Sequence, residues 1–342
     1  DNGFTKYTPV SGIPSLKKAI IEKFKRDNNL EYGLNEVIVG VGGKQCVFNF
    51  CLAVLNSGDE VIIPAPYWVS YADIALVSDA KPIIVECGIE QKFKMTASQL
   101  EKVITPKTKL VILNSPSNPT GAVYSKEELT SLADVLIKHP NILIGTDDMY
   151  EHVKLKDMPF YNILNVNPAL KDRCVVMNGV SKAYSMTGWR IGYAAGPSYI
   201  IKAMEILQSQ STSNPTSISQ VAAEAALSGD QACMDPMIKA FRERHAYVVK
   251  SFNEIPGLSC IEAEGAFYAF PDARKAIEHL FNQKVLKEKT DLALADFLLE
   301  KEGVAVVPGS AFGSDGYFRI SFATSMENLI EAMKRIKRAL SV

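Results

Sequence analysis

Several side chains with useful chemistry follow apolar runs in this sequence. They are Asn118, Asp147, Tyr150 and Lys182. An amine held in a crevice beside another cation has a lowered pKa, and such a lysine can form a Schiff base with an aldehyde. A carboxylate nearby can bind the protonated nitrogen of a heteroaromatic ring. Each residue alone also fits a surface lysine or a helix cap, so the chemistry depends on whether they meet.

Two further positions indicate an anion site. Gly42, Gly43 and Lys44 separate an apolar run from a helical pattern, and exposed backbone N–H groups at a helix start bind phosphate. Arg190 stands directly before another apolar run and could pair with a phosphate through two hydrogen bonds. The glycines match neither the Walker pattern nor the dinucleotide-binding pattern. A tight strand-to-helix turn therefore remains the alternative interpretation.

The elements between these motifs predict how they are brought together. Short apolar runs alternate with amphipathic stretches, which is typical of a mostly parallel sheet covered on both faces. The predicted strands are 37–41, 61–63, 81–85, 110–113, 142–145, 174–177 and 191–194. The predicted helices are 15–26, 45–55, 71–77, 97–104 and 126–137. Because ligands bind at the carboxyl ends of strands in such sheets, we expect the motifs to line one crevice.

The last third of the chain has a different, α+β pattern. Its predicted strands are 259–261, 267–270, 304–307 and 318–321, and its predicted helices are 291–301 and 326–340. A chain of 342 residues is also too long for one ordinary core. We therefore predict a large domain at residues 1–250 and a small C-terminal domain at 251–342, joined by a long helix from Met234 to Phe252.

Composition argues against several classes of protein. The residues are 47% hydrophobic and 22% charged with a formal net charge of −1, so we expect neither a nucleic acid nor a membrane as partner. The six cysteines lack C-x-x-C spacing and the four histidines lack metal-like spacing, so we expect reduced thiols and no metal. Without a bilayer-length apolar run or a visible signal peptide, the expected location is the cytoplasm.

The motifs occur in the order and spacing of class I aminotransferases, and the resemblance covers essentially the whole chain. They are Asn118-Pro119-Thr120-Gly121, Asp147-x-x-Tyr150, Ser181-Lys182 and Gly188-x-Arg190-x-Gly192. Further segments resemble bacterial aspartate aminotransferases, among them Gly42-Gly43-Lys44-Gln45 and Pro66-Tyr67-Trp68-Val69-Ser70-Tyr71. The resemblance implies pyridoxal 5′-phosphate as cofactor. It also implies the fold type I of such transferases, an α/β fold with a mostly parallel sheet in the large domain and a smaller α+β C-terminal domain.

The same resemblance implies catalytic roles. Lys182 would carry the cofactor as an internal aldimine and move a proton between the substrate Cα and the cofactor C4′. Asp147 would keep the pyridine nitrogen protonated, so that the ring acts as an electron sink. Tyr150 and Asn118 would hydrogen-bond to the ring oxygen. Trp68 would stack on the pyridine face, for which simple core packing is the alternative.

For the phosphate, the resemblance implies the backbone groups of Gly43 and Lys44 together with Arg190. Tyr7 would reach the phosphate of the neighbouring subunit. The expected active unit is therefore a homodimer with shared active sites.

For the substrate, the resemblance implies that Arg319 binds the α-carboxylate, although a surface arginine at a strand edge is the alternative. Lys44 would bind a side-chain carboxylate, because the segment 208–214 supplies no arginine for that role. Trp68 and Asn118 are also expected to contact the substrate. Lys44 thus points to aspartate and glutamate as substrates.

The expected reaction is ping-pong transfer of the amino group from L-aspartate to 2-oxoglutarate through pyridoxamine phosphate. The main alternative is an aminotransferase that also accepts prephenate or aromatic keto acids. The family's Gly-Glu-Pro-x-Phe-like arm, which helps to distinguish these substrate ranges, has no counterpart among these residues. A cofactor-binding regulator would need a basic, DNA-binding surface that is not evident here. A β-lyase or decarboxylase would use the same cofactor but break other bonds.

Overall fold

The computed structural model describes residues 3–341. Its strands are β1 (Val37–Gly40), β2 (Glu60–Ala65), β3 (Lys81–Glu86), β4 (Thr108–Asn114), β5 (Leu143–Asp147), β6 (Cys174–Gly179), β7 (Gly192–Ala195), β8 (Tyr268–Ala269), β9 (Val307–Pro308) and β10 (Phe318–Ser321). Its helices are α1 (Pro14–Asn28), α2 (Gly43–Val54), α3 (Ser70–Val77), α4 (Ala97–Val103), α5 (Lys126–Leu136), α6 (Ile163–Val166), α7 (Ser198–Ser209), α8 (Ser217–Ser228), α9 (Asp235–Asn253), α10 (Arg274–Asn282), α11 (Asp291–Glu302) and α12 (Met326–Leu340). Short 3-10 helical segments occupy Leu34–Glu36, Ile89–Gln91, Pro168–Arg173, Thr187–Trp189, Gln231–Met234 and Gly309–Phe312.

The larger sheet has seven strands in the order β1-β7-β6-β5-β4-β2-β3 within the described residues. The strands β3, β2, β4, β5 and β6 run parallel to one another, which confirms the predicted, mostly parallel sheet. The exception is β7, which runs antiparallel to both β6 and β1. The carboxyl end of β1 therefore lies at the same edge as the carboxyl ends of the parallel strands, and β7 begins at that edge.

Alternate residues of the central strands serve two separate apolar cores. In β4, Val111 and Leu113 belong to the core that includes α1, α5 and α8. Leu110 and Ile112 belong to the core that includes α2, α3 and α7. Because successive side chains of a strand point to opposite faces, a continuous apolar run indicates a sheet covered on both sides. None of the helices between residues 3 and 341 combines the length and apolar character that a membrane crossing requires.

The smaller sheet has three antiparallel strands in the order β8-β10-β9, and it has its own apolar core. Helices α9, α10, α11 and α12 contribute buried side chains to that core. The predicted connecting helix corresponds to α9, whose residues Phe241, Val248 and Phe252 pack there. From Phe241 onward, a residue of α9 is buried every three or four positions, and most of these residues are apolar, which is the pattern that predicts a helix.

The predicted strand 304–307 shares only Val307 with β9, and one other predicted strand is wrong. Residues 259–261 make a single bridge from Ser259 to Asp272 in place of a strand. The side-chain amide of Asn253 bonds both backbone groups of Cys260, accepting from its N–H at 2.9 Å and donating to its carbonyl at 3.0 Å. These groups are then unavailable for a strand ladder. The helices α6, α7, α8 and α10 also lie outside the predicted set.

Candidate active site

The carboxyl edge of the seven-stranded sheet contains a pocket of about 310 Å³. Asn114, the last residue of β4, pairs with Asp147, the last residue of β5. Gly192 of β7 pairs with Gly40 on one side and with Gly179 on the other. The segments that follow these strands therefore begin at the same edge of the sheet. The pocket is lined by Gly43, Lys44, Trp68, Tyr71, Asn114, Asn118, Asp147, Met149, Tyr150, Ser181, Lys182, Arg190, Tyr268 and Arg319.

The amine of Lys182 lies among an aromatic ring and two cations. Its Nζ is 6.0 Å from the centroid of the Tyr150 ring. Burial lowers the pKa of Lys182, and the positive charges of Arg190 and Arg319 lower it further. The Asp147 carboxylate acts in the opposite direction but does not cancel the shift. A lowered pKa increases the fraction of neutral amine near neutral pH, which is the form that a nucleophilic lysine needs.

Asp147 is buried at the end of β5 and is held by three neighbours. The Tyr71 hydroxyl donates to its Oδ2 at 2.6 Å, and the backbone N–H of Met149 donates to its Oδ1 at 3.2 Å. The Asn114 amide donates to its backbone carbonyl at 2.8 Å. Burial raises the pKa of the Asp147 carboxyl, although the Tyr71 hydrogen bond opposes the shift. A buried carboxyl of this kind gains from a cationic partner, such as a protonated ring nitrogen.

Tyr150 and Arg319 reach the pocket from distant parts of the chain and share Tyr268 as a neighbour. The hydroxyls of Tyr150 and Tyr268 are 2.9 Å apart. The guanidinium carbon of Arg319 is 4.5 Å from the centroid of the Tyr268 ring and 5.0 Å from that of Phe312. Its Nη1 donates to Oδ1 of Asn118 at 2.8 Å. Its Nε is buried without a hydrogen-bond partner among residues 3–341, and such unpaired donors are rare outside ligand sites.

The start of α2 and Arg190 together form a cradle of N–H donors. Gly42 precedes the first helical residue, Gly43, with a φ of +84°. A Cβ on Gly42 would overlap the Arg190 guanidinium, and a Cβ on Gly192 would overlap the backbone of the two glycines. One nitrogen of Arg190 donates to the carbonyl of Thr187 at 2.9 Å, which leaves its other donors for a ligand. A helix N-terminus beside a guanidinium is well suited to phosphate.

Lys44 and Trp68 form a cation–aromatic pair in the same pocket. The Nζ of Lys44 is 5.1 Å from the centroid of the Trp68 ring. The Trp68 ring also meets Tyr71 edge-on, with centroids 5.3 Å apart and an interplanar angle of 88°. Because Tyr71 in turn bonds Asp147, the tryptophan orientation is coupled to the carboxylate. The pocket thus offers an oriented aromatic face with an exposed cation beside it.

Comparison with known proteins identifies the family. Residues 1–336 match the family model of the class I and II aminotransferases. The chain belongs to this family. An aspartate/prephenate aminotransferase of Nitrosomonas europaea is 61% identical over 340 residues, which cover 99% of this chain and 86% of that protein.

Two solved structures show the same fold. The aspartate aminotransferase from Rhizobium meliloti has 48% identity and a TM-score of 0.93, over 99% of this chain and 84% of that one. The Thermus thermophilus aspartate aminotransferase with maleate has 39% identity and a TM-score of 0.90, over 98% of this chain and 84% of that one. The aminotransferase fold implied by the sequence motifs is thereby confirmed.

Class I aminotransferases depend on pyridoxal phosphate, and the pocket of this aminotransferase fits that group. The cofactor carries an aldehyde, a phosphate and a pyridine nitrogen. Lys182 supplies an amine of lowered pKa, and Asp147 supplies a buried carboxylate. The cradle beside Arg190 depends on the lack of a side chain at Gly42, since a Cβ there would overlap the Arg190 guanidinium. The donor set therefore matches all three groups.

The predicted site residues and the pocket differ at few positions. All of them line it except Tyr7, whose side chain is 92% exposed. The role of Tyr7 involves a second subunit and remains a prediction. The lining residues that were not predicted as site residues are Tyr71, Asn114, Met149, Ser181 and Tyr268. Tyr71 had a signal, since it lies three positions, about one helical turn, after Trp68. Tyr268 had none, because its partner Tyr150 is 118 residues away.

A second polar cluster lies directly behind the segment 147–152. The Glu151 carboxylate contacts the amine of Lys23 and accepts hydrogen bonds from Asn28 at 2.5 Å and from Asn178 at 2.7 Å. Lys23 also donates to Oδ1 of Asn28 at 2.7 Å. Burial alone raises the pKa of Glu151, but the Lys23 charge and the hydrogen bonds outweigh it, so the net shift is downward. Every charge in this cluster has a partner.

Asp148 belongs to the same cluster. It accepts hydrogen bonds from the Thr146 hydroxyl at 2.6 Å and from the Asn162 amide at 2.5 Å. Burial, followed by the neighbouring Glu151 charge, raises the pKa of Asp148 to about 7. The consecutive residues 147 and 148 therefore face different surroundings.

Proposed function

We propose that this chain is an aspartate aminotransferase, which transfers the amino group of L-aspartate to 2-oxoglutarate and forms oxaloacetate and L-glutamate. The observation that carries the proposal is a lysine amine of lowered pKa in one pocket with two separate guanidinium groups. Arg190 adjoins a helix N-terminus suited to phosphate. Within the described part of the chain, Arg319 has a buried Nε–H without a hydrogen-bond partner, which suits a carboxylate.

When bound, pyridoxal phosphate supplies a ring that withdraws electrons from the substrate Cα. The residues proposed to hold it are Gly43, Lys44, Trp68, Asn118, Asp147, Tyr150, Lys182 and Arg190. Asp147 would hold the proton of the ring nitrogen in place. Asn118 has its Oδ1 engaged by Arg319, so its NH₂ group is the part left to donate to a ring oxygen. Tyr150, 32 positions further along the chain, supplies a hydroxyl as the second donor.

Proton transfer falls to Lys182 in this proposal. Burial and the two arginines lower the pKa of its amine, so it could take the proton from the substrate Cα and deliver it to the cofactor C4′. The charges of Arg190 and Arg319 favour the neutral amine before each transfer. Because the amino group would stay on the cofactor when the first keto acid leaves, the two half-reactions should follow each other with ping-pong kinetics.

A dicarboxylic substrate fits the remaining groups. Arg319 would bind the α-carboxylate in the plane of its guanidinium, and Lys44 would bind the side-chain carboxylate beside Trp68. Asn118 and Trp68 would complete the contacts with the substrate. The relative from Nitrosomonas europaea is named for aspartate, and the Thermus thermophilus structure holds maleate, a dicarboxylate. Both findings support an acidic substrate.

Prephenate is the second candidate substrate. The Nitrosomonas europaea relative, 61% identical, is named an aspartate/prephenate aminotransferase. Prephenate also carries two carboxylates, so the same pair, Arg319 and Lys44, could bind it, with Trp68 beside its ring. Activity with both compounds would support the broader range, and activity with aspartate alone would limit the proposal to dicarboxylic amino acids.

We also propose a two-domain organisation, a homodimer and a cytoplasmic location. A large domain at 1–250 and a small domain at 251–342 are supported by the two sheets with separate cores, and α9 crosses that boundary. The exposed Tyr7 side chain is available to a second subunit. Replacing Tyr7 with Phe should weaken cofactor binding without changing the dimer mass measured by light scattering. A monomer that is fully active would contradict shared sites.

The test of the reaction is spectroscopic. Protein incubated with pyridoxal phosphate should gain a visible absorption band, which L-aspartate should remove and 2-oxoglutarate should restore. Lys182→Ala should lose the band. Lys126→Ala is the matched control, because this exposed lysine also lies 6.0 Å from a tyrosine ring, that of Tyr161, but outside the pocket. If wild type forms the band but no dicarboxylic amino acid changes it, the proposed substrate is wrong.

A further inference from the structure

Tyr268 is buried and faces the pocket from the small sheet. In the register of the antiparallel pair β8 and β10, it lies opposite Ser321. Arg319 is two positions from Ser321 and so points to the same face of β10. Diagonal neighbours on one face are within reach of an aromatic ring and a long side chain. Strand pairing thus fixes the tyrosine ring against the guanidinium.

The Tyr268 ring limits the orientation of Arg319. The guanidinium carbon is 4.5 Å from this ring and 5.0 Å from the ring of Phe312. Its Nη1 donates a hydrogen bond to Asn118, while its Nε has no hydrogen-bond partner among the residues that the structure describes. The rings of Tyr268 and Phe312 lie against the guanidinium, and Asn118 holds its Nη1. The N–H groups of Arg319 that remain for a ligand therefore point outward in the plane of the guanidinium. A carboxylate binds a guanidinium in that plane, so the rings prepare the arginine for its ligand.

The Tyr268 hydroxyl has a different partner. It lies 2.9 Å from the hydroxyl of Tyr150, a residue of the segment that follows β5. At this distance one hydroxyl donates a hydrogen bond to the other, and either of them can be the donor. When Tyr150 donates toward an anionic ring oxygen, its own oxygen is free to accept from Tyr268. Such a chain of hydrogen bonds strengthens the terminal one.

We propose that Tyr268 is a positioning residue of the reaction, which holds Arg319 through its ring and supports Tyr150 through its hydroxyl. The inference rests on the function proposed above and adds a physical link between substrate binding and the ring oxygen of the cofactor. The ring of Tyr268 contacts Arg319 and its hydroxyl contacts Tyr150, so the two contributions can be separated by substitution.

Tyr268→Phe keeps the ring and removes the hydroxyl. We expect the pH midpoint of the cofactor absorption band to rise by a few tenths of a pH unit, because Tyr150 becomes a weaker donor to the ring oxygen. Affinity for maleate, measured by calorimetry with the holoenzyme, should stay within about twofold of wild type, because the ring remains beside Arg319.

Tyr268→Leu removes the ring as well. Maleate affinity should then fall by about 2- to 30-fold, which corresponds to the loss of one cation–π contact. Tyr317→Phe is the matched control for the conservative change. Its ring is 5.3 Å from the Arg274 guanidinium outside the pocket, so neither the midpoint nor maleate affinity should change.

The outcomes separate the two proposals. If wild type gains no absorption band, the proposed function fails and Tyr268 has no reaction to serve. If wild type has the band and Tyr268→Phe titrates at the wild-type midpoint, the hydroxyl part of this inference is wrong. If a folded Tyr268→Leu variant binds maleate as tightly as wild type, the ring part is wrong. Urea unfolding of each variant distinguishes these results from a loss of folded protein.

Discussion

The pocket lies on one side of the segment 147–152, and the cluster of Lys23, Asn28, Glu151 and Asn178 lies on the other, rear side. Both contain charged residues, but the two sides differ in whether those charges have partners. On the pocket side, Asp147 accepts hydrogen bonds from neutral groups, and the Nε of Arg319 is buried without a hydrogen-bond partner among residues 3–341. On the rear side, Glu151 is paired with Lys23 and accepts two amide hydrogen bonds. Both sides bury charge, which costs free energy unless a partner is present.

The difference separates groups that stabilise the fold from groups that await a ligand. On the rear side, the chain itself supplies an amine and two amides to Glu151, so this charge has partners before any ligand binds. On the pocket side, the missing partners match the aldehyde, phosphate and carboxylate groups of a cofactor and its substrate. We therefore expect substitutions on the rear side to reduce stability and substitutions on the pocket side to reduce activity.

The largest effect on stability should come from Lys23→Met. This lysine is fully buried, and its removal leaves the Glu151 carboxylate in the interior without a cation. The free energy of unfolding should fall by about 3–5 kcal/mol, measured by urea unfolding. The exposed variant Lys126→Met should change it by less than about 0.5 kcal/mol. The double variant Lys23→Met/Glu151→Gln should recover part of the loss, and equal stability of Lys23→Met and wild type would contradict the comparison.

The next largest effect should be a loss of activity in Arg319→Lys. An ammonium group cannot reproduce two in-plane hydrogen bonds to a carboxylate, so kcat/KM for aspartate should fall by about 10²-fold. The free energy of unfolding should change less than in Lys23→Met, because no buried anion loses its partner. Arg274→Lys, outside the pocket, serves as the control in steady-state kinetics. An unchanged kcat/KM would mean that Arg319 does not bind the substrate.

A third effect concerns the pH dependence of stability. The pKa of Asp148 is raised to about 7 in the folded protein, above the usual value of 3.8. Between these two values the folded state retains a proton that the unfolded state has released, so this carboxyl makes stability fall as pH rises. The slope is at most about 1.4 kcal/mol per pH unit.

Asp148→Asn should remove that contribution. The variant should therefore lose less stability than wild type between about pH 4 and pH 7, in parallel urea titrations at several pH values. Thr146→Val, which removes one hydrogen bond to the same carboxylate without removing the charge, should keep the slope. Parallel stability curves for Asp148→Asn and wild type would show that Asp148 is ionised throughout this range.

The sequence predicts those strands and helices whose apolar residues recur at regular spacing along the chain. Apolar runs place the strands, and their ends locate Asn118, Asp147 and Lys182 near one edge. Local patterns do not predict pairings between distant residues, such as Tyr71 with Asp147 or Tyr150 with Tyr268. The segment 259–261 was misassigned for the same reason, since a side chain, Asn253, takes its backbone hydrogen bonds. The roles of the individual site residues follow from the resemblance of their motifs to class I aminotransferases.

The reversed direction of β7 has a consequence for the economy of folding. Because β7 starts at the edge where β6 ends, the chain leaves that edge and returns to it through residues 180–191 without crossing the sheet. Lys182 and Arg190 both lie in that loop, eight positions apart, so bringing the two like charges together requires the closure of only about eight residues. The repulsion that keeps the lysine reactive is thus maintained at a low cost in chain entropy.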